Sequence, residues 1–154
     1  MKLTKIIVPT DFSEASFTAF QYAADLARKW DAEIHLLYIV EKLPQILSTV
    51  NYDKAKDNFI NSVEDSARKK LKDLVSKFED DISSPIKPVM RNGINYEEII
   101  KYANEIKSEL IVIATHGRSG ILYTLLGSVA EKVIQLAKCP VLVVKPVDEE
   151  ETEF

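Results

Sequence analysis

Residues 110–130 read LIVIATHGRSGILYTLLGSVA. The run opens on an apolar, strand-like stretch. It then carries Gly117, Gly120 and Gly127, and leads into a helix-like pattern over residues 128–138. Glycine lets a backbone approach a ligand closely and adopt φ > 0 turns. A helix N-terminus offers unpaired N–H groups and a partial positive charge. A strand, a glycine-rich loop and a helix start in this order describe a pocket for phosphate groups. Ser128 stands three residues before Glu131, which predicts a capping box and a helix start there. Taken alone, the same residues equally describe a plain glycine-rich turn before a capped helix.

Working outward, strands alternate with helices. Residues 2–8 read as a strand and 11–30 as a helix, with Phe12, Ala15, Ala19, Ala23, Leu26 and Ala27 at helical spacing. Residues 32–40 form a second strand, apolar at nearly every position. A long amphipathic helix follows at about 53–78, with Phe59, Val63, Leu71, Leu74 and Phe78 on one face. Ser84-Pro85 breaks it. A third strand spans 85–90, Asn92-Gly93 turns the chain, and a helix over 96–107 points Ile99, Ile100, Ala103 and Ile106 inward. A fourth strand (110–115), a last helix (128–138) and a fifth strand (140–145) complete the pattern. Near-continuous apolar strands predict an α/β protein, a doubly wound five-stranded parallel sheet with helices on both faces. Its crossovers are right-handed. Ligands bind such sheets at the strands' carboxyl ends, where the winding reverses. One domain over 1–147 and an acidic, solvated tail over 148–154 fit the chain length and the charge run.

The chain has 154 residues, 46% of them hydrophobic, which is enough to bury a core. A net charge of −4 and a pI near 5.3 argue against nucleic acid as the main partner. No apolar run approaches the ~20 residues needed to span a bilayer. The short run 6–8, cut by Pro9-Thr10-Asp11, is no signal peptide. With one cysteine there is no internal disulfide, and a cytoplasmic protein without a membrane partner is expected.

The spacing Ala114-x2-Gly117-x9-Gly127-Ser128 resembles the nucleotide-binding signature of the universal stress protein family, G-x2-G-x9-G-[ST]. Ala114 replaces the first glycine, and its methyl group narrows the pocket floor. IIVPTDFSE (6–14), LLYIVE (36–41) and GSVAEKVIQLAKCPVLVVKP (127–146) resemble that family's first strand and turn, second strand, and closing helix and strand. The resemblance implies strand order 3-2-1-4-5, an adenine-nucleotide alpha-hydrolase-like fold, with the reversal between strands one and four. It implies ATP, AMP or ADP as ligand, with Mg2+. Pro9 and Thr10 then line the base pocket, and Asp11 contacts adenine or ribose. The backbone at Ile39 and Val40 meets the adenine edge. Gly117, Arg118, Ser119 and Gly120 wrap the phosphates, and Ser128, Val129 and Ala130 bind the terminal ones.

Several residues carry a second reading. Asp11, with Glu14 three positions on, also reads as an N-cap. Arg118 suits phosphate geometry or points to solvent. The resemblance also implies that His116, inside the signature, is among the ATP-binding residues; it has no catalytic partner at a recognisable spacing. His35 sits within strand two, and Cys139 reads as a small apolar group. Glu97 and Glu98 stabilise a helix start. Two histidines and one cysteine form no zinc set, so neither a metal site nor a catalytic residue is assigned. No lysine follows Gly127 as in a Walker loop. Residues 42–52 would overlie the cleft. Val141, Leu142, Val143 and Val144 form an apolar edge strand, for which the resemblance implies a homodimer. Three functions follow: a nucleotide-dependent regulatory module answering to an unknown protein partner, a slow ATPase or phosphotransferase acting through Ser128, or a dimeric stress protein without nucleotide.

Overall fold

In β1 (Lys5–Pro9) the side chains of Ile6, Ile7 and Val8 are all fully buried. Successive strand residues face opposite sides, so this strand has core on both faces and belongs mid-sheet. The computed structural model describes residues 2–41, 53–80, 82–116 and 126–145. After β1 come α1 (Glu14–Trp30), β2 (Glu33–Glu41), α2 (Asp53–Phe78), β3 (Ile86–Gly93), α3 (Asn95–Ile106), β4 (Leu110–Ala114), α4 (Ser128–Leu136) and β5 (Val141–Val144). All five strands pair in parallel, in the order β3-β2-β1-β4-β5. The expected doubly wound sheet is therefore present.

Each face of the sheet has its own core. Ile6, Val8, Ile34, Leu36 and Val112 pack with Phe20, Ala23 and Ala27 of α1 and Leu71 and Val75 of α2. Ile7, Leu37, Ile39, Ile111 and Ile113 pack with Ile99 and Ala103 of α3 and Ala130 and Val133 of α4. At the opposite end from the strand tips, the Glu109 carboxylate ties β4 to β1. It accepts from Thr4 N–H (3.2 Å), Thr4 Oγ1 (2.7 Å) and Lys5 N–H (2.8 Å).

Four expectations need correction. Asn92-Gly93 is no turn: β3 runs through both, pairing them with Val40 and Glu41. Pro88 also lies within β3, which a sheet-edge strand tolerates because one row of N–H groups needs no partner. The α1 cap is Ser13, not Asp11, and the helix starts at Glu14. The face expected to be buried on α2 is buried only in its C-terminal half. Phe59 and Val63 are 56% and 37% exposed, whereas Leu71 and Val75 are buried. A 26-residue helix, about 39 Å long, outruns strands of 8 and 9 residues, about 30 Å or less. Finally, α4 begins at Ser128 but without a capping box, as its site explains.

Candidate functional site

A cleft of ≈ 640 Å³ opens at the carboxyl ends of β1, β2 and β4. Small-molecule sites typically occupy about 300–1,000 Å³. The reversal lies here, since β1 pairs with β2 on one side and β4 on the other. The cleft brings together Pro9, which ends β1, with Thr10 and Asp11 after it, Ile39 on β2, Ala114, which ends β4, with His116 after it, and Gly127, Ser128, Val129 and Ala130 at the start of α4. Val40 is half-buried in β2 and is not among the lining residues. Gly117, Arg118, Ser119 and Gly120 lie outside the described residues, as do 42–52 and the acidic tail.

The β1–α1 turn is held from within. Thr10 N–H donates to the Leu37 carbonyl (2.9 Å), and the Thr10 hydroxyl accepts from Phe12 N–H (3.1 Å). Ser13 Oγ accepts from Ser16 N–H (3.2 Å), which makes Ser13 the helix cap. Asp11 instead closes an Asx turn, its carboxylate accepting from Ser13 N–H (3.0 Å) and Ser13 Oγ (2.5 Å). Phe12 between them takes φ +64°, a left-handed conformation that a bulky residue rarely adopts. Its ring packs at a tilt against Tyr38, centroids 4.7 Å apart, which holds the turn and leaves Asp11 in the cleft wall.

On the other side, Gly127 N–H donates to the Thr115 carbonyl (2.5 Å). A Cβ at Gly127 would stand 2.7 Å from that oxygen, closer than such atoms come, so glycine is required by the backbone itself. Gly127 is also the N-cap of α4 and offers no side chain to its first turn. Glu131, expected to complete a capping box, accepts from Gln135 Nε2 instead (3.2 Å). The first backbone bond of the helix is Glu131 N–H to the Gly127 carbonyl (2.9 Å). The N–H groups of Ser128, Val129 and Ala130 therefore begin the helix without intrahelical acceptors. Beside them, Thr115 Oγ1 and His116 Nδ1 are buried and have no hydrogen-bond partner among the described residues.

The remaining titratable groups sit elsewhere. His35 is 2% exposed on β2, its Nδ1 2.7 Å from Tyr102 Oη. Its Nε2 is 3.4 Å from Glu33 Oε1 without hydrogen-bond alignment. Burial lowers its pKa, against the pull of Glu33. Burial pushes the Cys139 thiol up, in keeping with a packing role. Among the described residues no group of three or more His, Cys, Asp or Glu could hold a metal ion. No described helix is long and apolar enough to cross a membrane.

Several wall residues escaped the sequence reading, among them Tyr38, Glu41, Asn95, Ile99 and Thr115. Asn95 Nδ2 donates to Glu41 Oε1 (2.5 Å), joining the end of β2 to the start of α3 across the rim. Topology held the signal for these. A helix following an edge strand starts at the same carboxyl end as the cleft.

Universal stress protein MJ0531 of Methanocaldococcus jannaschii is 37% identical over 142 residues, 92% of this chain and 81% of that protein. The solved structure of MJ0577, from the same organism, superposes with a TM-score of 0.84 at 30% identity, over 97% of this chain and 100% of that one. A universal stress family protein of Arabidopsis thaliana, solved with AMP bound, shares the fold at a TM-score of 0.66 and 19% identity, over 97% of this chain and 95% of that one. The universal stress protein family matches residues 2–145, and the chain belongs to it.

Proposed function

We propose that this universal stress protein is a nucleotide-binding regulatory module whose cleft takes ATP, or AMP or ADP. One observation carries the reading: the uncapped first turn of α4 faces a cleft at the sheet's reversal point. Oriented N–H groups and the helix dipole favour a phosphate there. Two buried polar atoms beside that turn, Thr115 Oγ1 and His116 Nδ1, have no hydrogen-bond partner among the described residues. The apolar wall at Pro9 and Ile39 suits a base, with Asp11 beside it for ribose hydroxyls. AMP in the Arabidopsis relative supports the adenine class. Magnesium, bound through phosphate oxygens and water, would neutralise phosphate charge.

Regulation follows from occupancy. Nucleotide favours one conformation, and a protein partner reads it. The assembly is a homodimer through β5. Leu142 is 37% exposed on that edge strand, and Ile134 and Leu136 of α4 are 43% and 51% exposed. Strand-to-strand pairing satisfies the open edge and closes as a two-fold dimer.

Calorimetric titration of the purified protein with ATP, ADP and AMP tests the reading, alongside mass spectrometry of small molecules released on denaturation. Saturable binding of at least one is expected. No binding of any of them at about millimolar concentration, weaker than about −4 kcal/mol, would end it.

A further inference from the structure

We propose that His35 is a proton-operated latch on α3, the helix that brings Asn95 and Ile99 into the cleft wall: the neutral imidazole holds α3 through Tyr102, and the protonated one turns to Glu33 and frees it. The latch does not depend on which ligand the cleft takes. His35 stands on β2 between Ile7 of β1 and Lys87 of β3, on the sheet face that α3 covers. It is 2% exposed, and its Nδ1 lies 2.7 Å from Tyr102 Oη. Its Nε2 is 3.4 Å from Glu33 Oε1, buried, and without a hydrogen bond among the described residues. A bare Nε2 lone pair would be turned on that carboxylate and would repel it. The neutral ring therefore carries its proton on Nε2, and its Nδ1 accepts from the Tyr102 hydroxyl. Burial pushes the Tyr102 pKa up, so the hydroxyl keeps its proton.

A second proton reverses this arrangement. Nδ1–H can only donate, so the phenol proton loses its acceptor. Arg91, whose guanidinium lies 4.9 Å from the Tyr102 ring centroid and pairs with Glu105, offers donors alone. The charged Nε2–H is drawn to Glu33 across a gap that a small turn of the ring closes. Burial, with Lys87 and Lys5 nearby, holds this change below the ordinary histidine range against the pull of Glu33. The ends of α3 keep their ties, Lys5 Nζ donating to the Ile106 carbonyl (3.1 Å) and Asn95 Nδ2 to Glu41. Its middle turn does not, and Ile99 of the cleft wall lies one turn before Tyr102.

Nuclear magnetic resonance of the ligand-free protein, titrated from pH 7.5 downward, tests the latch. At pH 7.5 the imidazole nitrogen shifts should mark His35 as the Nε2–H tautomer. As the pH falls, the amides of Asn95 and Ile99 should shift with the same midpoint as the His35 ring. Asn95 is bonded to Glu41, six residues beyond His35 on β2 and so about 20 Å away, too far for the new charge to act on it directly. In Tyr102→Phe the His35 midpoint should rise, because the neutral ring has lost its donor, and the two amides should no longer follow it. In His35→Gln their response over this range should vanish. A neutral His35 carrying its proton on Nδ1 overturns the latch. So do Asn95 and Ile99 amides that stay level while His35 titrates, or that still respond in His35→Gln. Unfolding before His35 titrates also overturns it, since His35 would then act on global stability alone.

Discussion

Replacing Ser128 with proline tests the α4 anion site without disturbing the fold. Ser128 is the first residue of the helix and Gly127 its cap. Proline is favoured at that first position, since its missing N–H has no intrahelical acceptor to lose. Proline also demands an extended preceding residue, and Gly127 already has φ −71° and ψ 151°. Fixing φ at a compatible site stabilises by about 0.4–1 kcal/mol through the unfolded chain. The ligand-free protein should therefore melt unchanged or up to about 4 °C higher. Binding should move the other way. The substitution removes one N–H donor to an anionic oxygen, about 1.5–3 kcal/mol, or about a 10- to 150-fold weaker ATP dissociation constant. The lost hydroxyl adds to this, and Ser128→Ala measures it separately. Titration calorimetry and differential scanning calorimetry on the same samples give both numbers. A folded Ser128→Pro protein that binds ATP like wild type would refute phosphate binding at this helix. Gly127→Val is a poorer test. Its Cβ would collide with the Thr115 carbonyl, so lost binding would follow from distortion alone.

Other measurements probe separate parts of the argument. Burial keeps His35 neutral by lowering its pKa from 6.5. Below about pH 6.5 the unfolded chain then binds more protons, so this contribution is complete above that pH and is lost as pH falls towards the folded value. Urea midpoints across pH 7.5–5.5 should show a slope from this group of up to about 1.4 kcal/mol per pH unit, which His35→Gln flattens; an unchanged slope in the variant speaks against it. Leu142→Lys places a charge on the exposed side of β5 and should shift sedimentation at tens of micromolar from dimer to monomer; a wild type already monomeric there removes the dimer. Val143 would serve less well, because it packs against the second core. ATP turnover should fall far below the enzyme median of about 10 per second, and at saturating ATP His116→Ala should leave any residual rate in place; steady turnover at saturation abolished by that substitution would make the cleft an active site.

The architecture was legible wherever a run of residues carries its own period. Apolar strands such as 6–8 and 110–114 announce burial on both faces, and the spacing from Ala114 to Ser128 locates the β4–α4 crevice. Strand order came from resemblance, because periodicity says nothing about neighbours. The misreadings share a physical cause. Thr-Asp-Phe-Ser-Glu offers two acceptable caps, Asp11 and Ser13. Only the left-handed Phe12, invisible in a residue list, moves the helix start to the second. Ser128 and Glu131 have capping-box spacing, yet Gly127 is drawn onto Thr115 and becomes the cap itself. Glu41 and Asn95 meet across 54 positions, where no local pattern signals their contact.

The central place of β1 also sets a timetable for folding. Ile6 pairs with Leu110, and the Glu109 clamp reaches back to Thr4 and Lys5. The strand made first is flanked on one side by β2, some 28 positions on (Ile6 to Ile34). On the other side it waits for a segment 104 positions downstream (Ile6 to Leu110). At translation rates of about 5–20 residues per second, that edge stays open for roughly 5–20 s on the ribosome. Throughout that interval a strand of isoleucine and valine presents unpaired backbone to the cell. The nascent chain is thus most exposed to mispairing before its fourth strand emerges, and a pause in synthesis between residues 41 and 110 would lengthen that exposure.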